Sequence, residues 1–365
     1  MNQMTSRERL LAAINGNEVD RLPWSPLVDY YFISSLDKEK DIIEVSKDFE
    51  FDLMERHVPT FSDPIGASIG LEFKNGVEFK TERKGNKIIN KYITPVGEIT
   101  ELKETTEVLK YGFTKEHYVK NIKDLKIYTY VLENLELKSL EKSFIKRDEA
   151  IGDNGLAVPS GPLTPLQQML QFLVGIEKTI YMIMDNPDEV KAFMELSHEI
   201  NKECYKILSK YPSELIIAYE DTSTTVLSPN MYKEYCQSYI DDYAEIVQSN
   251  NQKYITHMCG KLNALKEYLA EGKMNGIDSI CPPQTGDIWI DDARKALGED
   301  KLLIGGIEPA ALERMSTSET EKYVIDVIEK MKPWKNFILS TGDATPHGTP
   351  PENLMKVIEL VKKLT

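Results

Sequence analysis

Short apolar and β-branched runs recur along the chain, and most lead into a stretch with helical spacing. In order they are LPWSPLV (22–28), FDLME (51–55), LAVPSGPL (156–163), LIIAYED (215–221), KYITHMC (253–259), IDSIC (277–281), LLIGGI (302–307) and NFILST (336–341). Runs this short and this apolar predict strands buried on both faces, as in a parallel sheet. Between the later ones the pattern changes to amphipathic helix. From Ser228-Pro229 to Asn250, residues Met231, Tyr232, Tyr235, Cys236, Tyr239, Ile240, Tyr243 and Ile246 share one stripe. The last helix keeps Leu354, Val357, Ile358, Val361 and Leu364 in helical register. Thr349-Pro350-Pro351-Glu352 predicts its cap, first-turn proline and capping-box glutamate, and Thr5-x-x-Glu8 predicts a capping box near the start of the chain.

Eight strands alternating with helices favour an α/β fold closed as a (β/α)8 TIM barrel over an open doubly wound sheet. One region breaks the rhythm. Residues 71–104 alternate polar and apolar around Asn75-Gly76, Lys84-Gly85-Asn86 and Pro95-Val96-Gly97, which predicts a β-hairpin or small meander inserted after the second strand. No internal repeat or low-complexity linker divides the sequence, so the expectation is a single barrel domain over 1–365 with that insertion inside it.

Composition narrows the class of partner. The formal charge of −15 repels phosphate backbones and anionic lipid, which argues against nucleic acid and membrane surfaces. No apolar run is long enough to span a bilayer, and the first residues lack the apolar core of a signal peptide. Four cysteines, Cys204, Cys236, Cys259 and Cys281, are too few for a disulfide scaffold. A reduced, cytoplasmic enzyme is expected.

In such a barrel the active site forms where the strands end. The rule selects Glu220-Asp221, His257-Met258-Cys259, Cys281, Gly342-Asp343 and, after the second strand, His57. Residues two apart on a strand point to the same face, so His257 and Cys259 can converge on one metal ion. Packing is the alternative for such a pair. Glu220 and Asp221 read equally well as catalytic carboxylates or as a solvated capping turn. Cys204 and Cys236 fall on apolar helix stripes and read as core thiols, and Cys281 reads as a buried structural cysteine or a ligand. His117 and His198 invite no role.

The chain resembles the uroporphyrinogen decarboxylase superfamily, in its corrinoid-dependent methyltransferase branch. The resemblance is carried by SRERLLAAINGNEVDRLPW, TPVGEITE, VLSPNMYKEY, THMCGKL, GGIEP and ILSTGDATPHGTPPENL, in that order. It implies the same barrel and a zinc ion held by His257 and Cys259. In that branch a further cysteine follows the last strand, and Asp343 stands there in this chain; an aspartate oxygen also binds zinc, so Asp343 becomes the implied third ligand, with Glu220 a nearby substitute. Replacing a thiolate by a carboxylate makes a harder site, suited to an ether oxygen.

The resemblance therefore implies an O-demethylase methyltransferase. Its methyl donor would be a methoxylated aromatic and its acceptor the Co(I) corrinoid of a separate corrinoid protein. Cobalamin is not expected in this chain, because the D-x-H-x-x-G pattern of corrinoid carriers is absent. Glu220, Asp221 and His347 are the candidate catalytic groups, and His57 and Tyr30 the candidate substrate contacts. A homo-oligomer is a further implication. The nearest competitor is a methyl-corrinoid:thiol methyltransferase, with the same fold, zinc and partner. Uroporphyrinogen decarboxylation fits less well, since PLVDYYFISSL after the first strand has no arginine to hold substrate carboxylates. A non-catalytic binding barrel is the remaining alternative.

Overall fold

The structure is a computed structural model that describes residues 3–36, 40–59, 65–106 and 112–365. Its strands are β1 (Leu53–Arg56), β2 (Gly70–Phe73), β3 (Glu78–Lys84), β4 (Lys87–Thr94), β5 (Gly97–Glu104), β6 (Phe113–Glu116), β7 (Leu135–Lys138), β8 (Gly155–Val158), β9 (Ser160–Gly161), β10 (Leu215–Tyr219), β11 (Lys253–His257), β12 (Gly276–Ile280), β13 (Leu302–Ile307) and β14 (Phe337–Thr341). Strands β9 to β14 form one parallel sheet in chain order, and β1 pairs in parallel with β8. Pro159, which has no N–H to donate, separates β8 from β9. Its carbonyl still accepts from Ile217 at 3.2 Å, so the segment 155–161 leans on β1 with one half and on β10 with the other.

The run at 22–28, expected as a full strand, makes a single bridge from Trp24 to Leu339. Pro23 and Pro26 explain the shortfall, since each removes a ladder donor. The remaining bonds are well placed. Ser25 N–H donates to the Leu339 carbonyl at 2.9 Å, Leu339 N–H to Pro23 at 3.0 Å, and Asp52 N–H to Trp24 at 2.8 Å. Backbone hydrogen bonds thus run from β14 through residues 23–25 to the start of β1, and from β1 to β8.

Alternation along these strands sorts the core into two layers. Met54, Leu156, Val158, Leu215, Ile217, Ile255, Leu302, Ile304 and Ile338 pack with one another, and Leu10, Ala13 and Ile14 of the helix Ser6–Ile14 join them. Their neighbours in sequence, such as Ile216, Ala218, Leu303 and Leu339, face the surrounding helices. The helix Ser6–Ile14 opens with the expected capping box at Thr5 and Glu8 and packs against β8 and β14. The closing helix Pro351–Leu364 departs from expectation: its cap position is Pro350, and no side chain caps it.

Residues 71–104 hold more strand than a single hairpin. β3, β4, β5 and β6 form an antiparallel sheet in that order, and β4 buries Ile88, Asn90, Tyr92 and Thr94 while its alternate residues stay more exposed. Tyr92 meets Tyr128 of the helix Ile122–Glu133 edge-on at 6.1 Å. Asn75-Gly76 does not close a hairpin, because β2 pairs with β7; the turn passes the chain from one small sheet to the other.

Candidate metal centre

Strand ends bring the site together through the same alternation. β10 points Leu215, Ile217 and Tyr219 inward, β11 points Ile255 and His257 inward, and β12 adds Asp278. Asp221 follows β10 with φ 45°, and its N–H donates to the His257 carbonyl at 3.1 Å. His57 and Ser279 also take positive φ, 62° and 79°, so three non-glycine residues at or just beyond the ends of inner strands sit in the left-handed region. That conformation costs energy for a residue with a Cβ, and it occurs where a side chain must be aimed.

Asp221, His257 and Cys259 present ligand atoms that all lie within 4.8 Å of one another. The Cys259 thiol donates to Asp221 Oδ1 at 3.2 Å, and His257 Nε2 stands 3.9 Å from the same oxygen. Around a tetrahedral zinc, ligand atoms roughly 2.0–2.3 Å from the ion stand about 3.3–3.8 Å apart. A nitrogen, a sulfur and a carboxylate oxygen at these spacings fit such an ion with one position left open. Electrostatics agree. Burial and the charges of Asp221 and Asp343 push the Cys259 thiol well above the ordinary range. Burial, with Asp343 nearby, also raises the Asp221 carboxyl. A dication relieves both penalties at once.

His257 is held from two sides. Its Nδ1 lies 2.8 Å from Asp278 Oδ2, and Asp278 Oδ1 accepts from Arg56 at 2.9 Å. Burial alone would raise the Asp278 carboxyl, but Arg56 and His257 hold it at about 2. On its face, His257 stacks on Tyr219 at 4.6 Å, and Tyr219 stacks on His57 at 4.1 Å. Burial, with the charges of His257 and Arg56, depresses the His57 imidazole to about 3 and keeps it neutral.

The other expected site residues are dispersed. Asp343 takes the Ala344 N–H on its Oδ1 at 2.7 Å and lies beside the cluster, close enough for its charge to reach Asp221, His257 and Cys259, but outside the mutually close set. Glu220 faces the opposite way from Asp221, into the layer between strands and helices. Both its oxygens accept from Thr164 at 2.8 Å, and Tyr232, Tyr243 and Tyr254 surround it. The expected position of Glu220 at the strand mouth is therefore corrected. Tyr30 opens the one-turn helix Tyr30–Ile33, capped by Asp29. His347 is exposed and meets Tyr31 edge-on at 6.5 Å. Cys281 is buried against Gly342, where an added Cβ would lie 2.8 Å from its sulfur. Asp278 and Arg56 are not among the residues expected at the site. The available signal was an acid in the middle of the apolar run IDSIC, since a charge on a fully buried strand needs a partner.

The family model for uroporphyrinogen decarboxylase (URO-D) matches residues 156–364. The chain belongs to that family. The matched span includes Asp221, His257, Cys259, Asp278 and Asp343 and leaves out Arg56 and His57. Among solved structures, a methyltransferase from Methanosarcina mazei is similar over 99% of both chains, with a TM-score of 0.63 and 14% identity. At that identity the likeness is one of fold. A D-psicose 3-epimerase from Clostridium cellulolyticum H10 covers 61% of this chain and 77% of its own, at a TM-score of 0.34 and 10% identity. No curated protein matches the chain. Among the described residues no helix is long and apolar enough to cross a membrane.

Proposed function

We propose that this member of the URO-D family is a zinc-dependent methyltransferase that moves a methyl group from a methoxylated aromatic to the Co(I) corrinoid of a separate corrinoid protein. The observation that carries the reading is the convergence of Asp221, His257 and Cys259. The hydrogen bonds linking β14, residues 23–25, β1 and β8 support reading the strands as one closed (β/α)8 barrel over 1–365, with 71–104 inserted. The cluster then lies at the barrel mouth.

Cys259, His257 and Asp221 would hold the zinc, with Asp343 beside them as an additional negative charge. Bound there, zinc would supply Lewis acidity at a departing phenolic oxygen, otherwise a poor leaving group at neutral pH. The protein's own side chains supply the rest. The neutral His57 ring, stacked on Tyr219, would offer a flat surface to an aryl group. Among the described residues Tyr219 Oη is buried without a hydrogen-bond partner, and it would donate to a polar ring substituent. Tyr30 and Tyr31 open the short helix after residues 22–28, and His347, beside Tyr31, would deliver a proton to the leaving oxygen. Glu220 takes no part in this scheme.

A carboxylate in place of a second thiolate favours an ether oxygen over a thiol as the group held at the metal. The test compares methyl transfer from methoxylated phenols to a reduced corrinoid protein with transfer from methylcobalamin to thiols. Transfer in the first assay is expected. Activity confined to the second would replace the donor class and leave the fold and metal centre standing. Full activity in metal-free protein would remove the proposed mechanism.

A further inference from the structure

An arginine and an aspartate inside an otherwise aliphatic strand layer need a reason. Arg56 and Asp278 are 9% and 1% exposed, and their side chains sit beyond Met54, Ile217, Ile255 and Ile304. Removing two charges from water is costly, and a well-packed apolar pair in the same space is often no less stable. The pair does not close on itself. Arg56 occupies one oxygen of Asp278, at 2.9 Å, and the other oxygen meets His257 Nδ1 at 2.8 Å. An ionised carboxylate only accepts, so the imidazole Nδ1–H must donate. In the neutral imidazole that binds a metal, Nε2 is then the lone-pair nitrogen, and it is the ring atom on the side of Asp221 and Cys259.

The backbone is shaped to the same end. The ladder between β12 and β13 shifts register between Asp278 and Ile280, where Ser279 adopts φ 79° and its hydroxyl donates to the Gly342 carbonyl. Tyr219, stacked at 4.6 Å, fixes the ring plane that Asp278 fixes at its edge.

We infer that the buried Arg56–Asp278 pair is a positioning device for His257, setting its tautomer and plane so that Nε2 is presented to the metal. Arg56 acts through Asp278, by keeping that carboxylate singly aimed. The inference rests on the metal reading proposed above and adds two residues to it, one of which lies outside the span matched by the family model.

The test uses the full chain loaded with Co(II). Affinity is measured by chelator competition, the coordination by visible absorption, and the hyperfine-shifted imidazole N–H by proton NMR in water. Asp278→Asn should weaken Co(II) binding about 10- to 100-fold and speed exchange of that N–H with solvent. Arg56→Met should do the same to a lesser degree, with Arg56→Lys restoring part of the loss. Asp52→Asn is the control, because Asp52 is equally buried between Arg9 and Arg21 and belongs to no part of the site. It should lower Tm and leave Co(II) affinity unchanged. If Asp278→Asn does not fold, the two Arg56 variants decide the question alone. Wild-type affinity and an unchanged N–H signal in folded Asp278→Asn or Arg56→Met would overturn the inference. Failure of the wild-type chain to bind Co(II) through a thiolate would instead overturn the metal reading beneath it.

Discussion

Glu220 and Asp221 are neighbours at the end of one strand, both carboxylic acids, and they belong to different parts of the molecule. Asp221 turns inward to Cys259 and His257, at a cluster that also feels the charge of Asp343. Glu220 turns outward into a packed layer of tyrosines and is fully satisfied by the N–H and O–H of Thr164. Burial raises both carboxyls, and pushes Glu220 to about 8. The environments nevertheless differ in kind. Around Glu220 each oxygen has a donor, which is how a buried polar group is made tolerable in a core. Around Asp221 the partners are a thiol and an imidazole, with a second carboxylate, Asp343, close enough for its charge to act, which is a donor set suited to a metal ion. A raised carboxyl alone therefore does not mark a metal ligand; the groups its oxygens face do.

The largest effect should come from breaking the inner side of this comparison. Cys259→Ala removes a ligand and should lower methyl-transfer activity by at least about 100-fold while abolishing stoichiometric zinc, read by elemental analysis. Asp221→Asn keeps the shape and removes the charge. Zinc affinity should fall about 10- to 100-fold with little change in Tm. Asp343→Ala should weaken affinity less than Asp221→Asn, and the reverse order would make Asp343 the ligand oxygen.

The outer side should respond in stability and not in metal. Thr164→Val leaves the buried Glu220 without its O–H donor and should cost about 1–3 kcal/mol in denaturant unfolding. Glu220→Gln should show the smallest effect, visible only as a change in pH dependence. The folded-state carboxyl titrates at about 8, above its unfolded value. Its stabilising contribution is therefore full below the unfolded value and is lost as pH rises toward 8, because the unfolded chain ionises first. The Tm of Glu220→Gln should accordingly gain on wild type across that window. A constant difference, or a loss of zinc, would place Glu220 with the inner cluster after all.

Much of the frame was legible from local pattern. Seven of the apolar runs overlap strands of the structure, and the eighth, at 22–28, reduces to one bridge because prolines interrupt its donors. The His257-x-Cys259 pair was legible because a period of two puts both on one face whatever the rest of the chain does. The third member of the close set was not. The resemblance pointed to Asp343, and the close set contains Asp221, whose aim depends on a left-handed turn that no local pattern announced.

Arg56 and Asp278 are 222 positions apart, and neither is near His257 in sequence. The chain by itself determined which residues form strands, which face each side chain takes relative to its neighbours, and that a histidine and a cysteine would share a face. Only the tertiary structure decided which inward residues of different strands meet. That choice depends on the register between strands brought together from distant segments, and register is set by packing the whole sheet against its helices, not by any window of sequence.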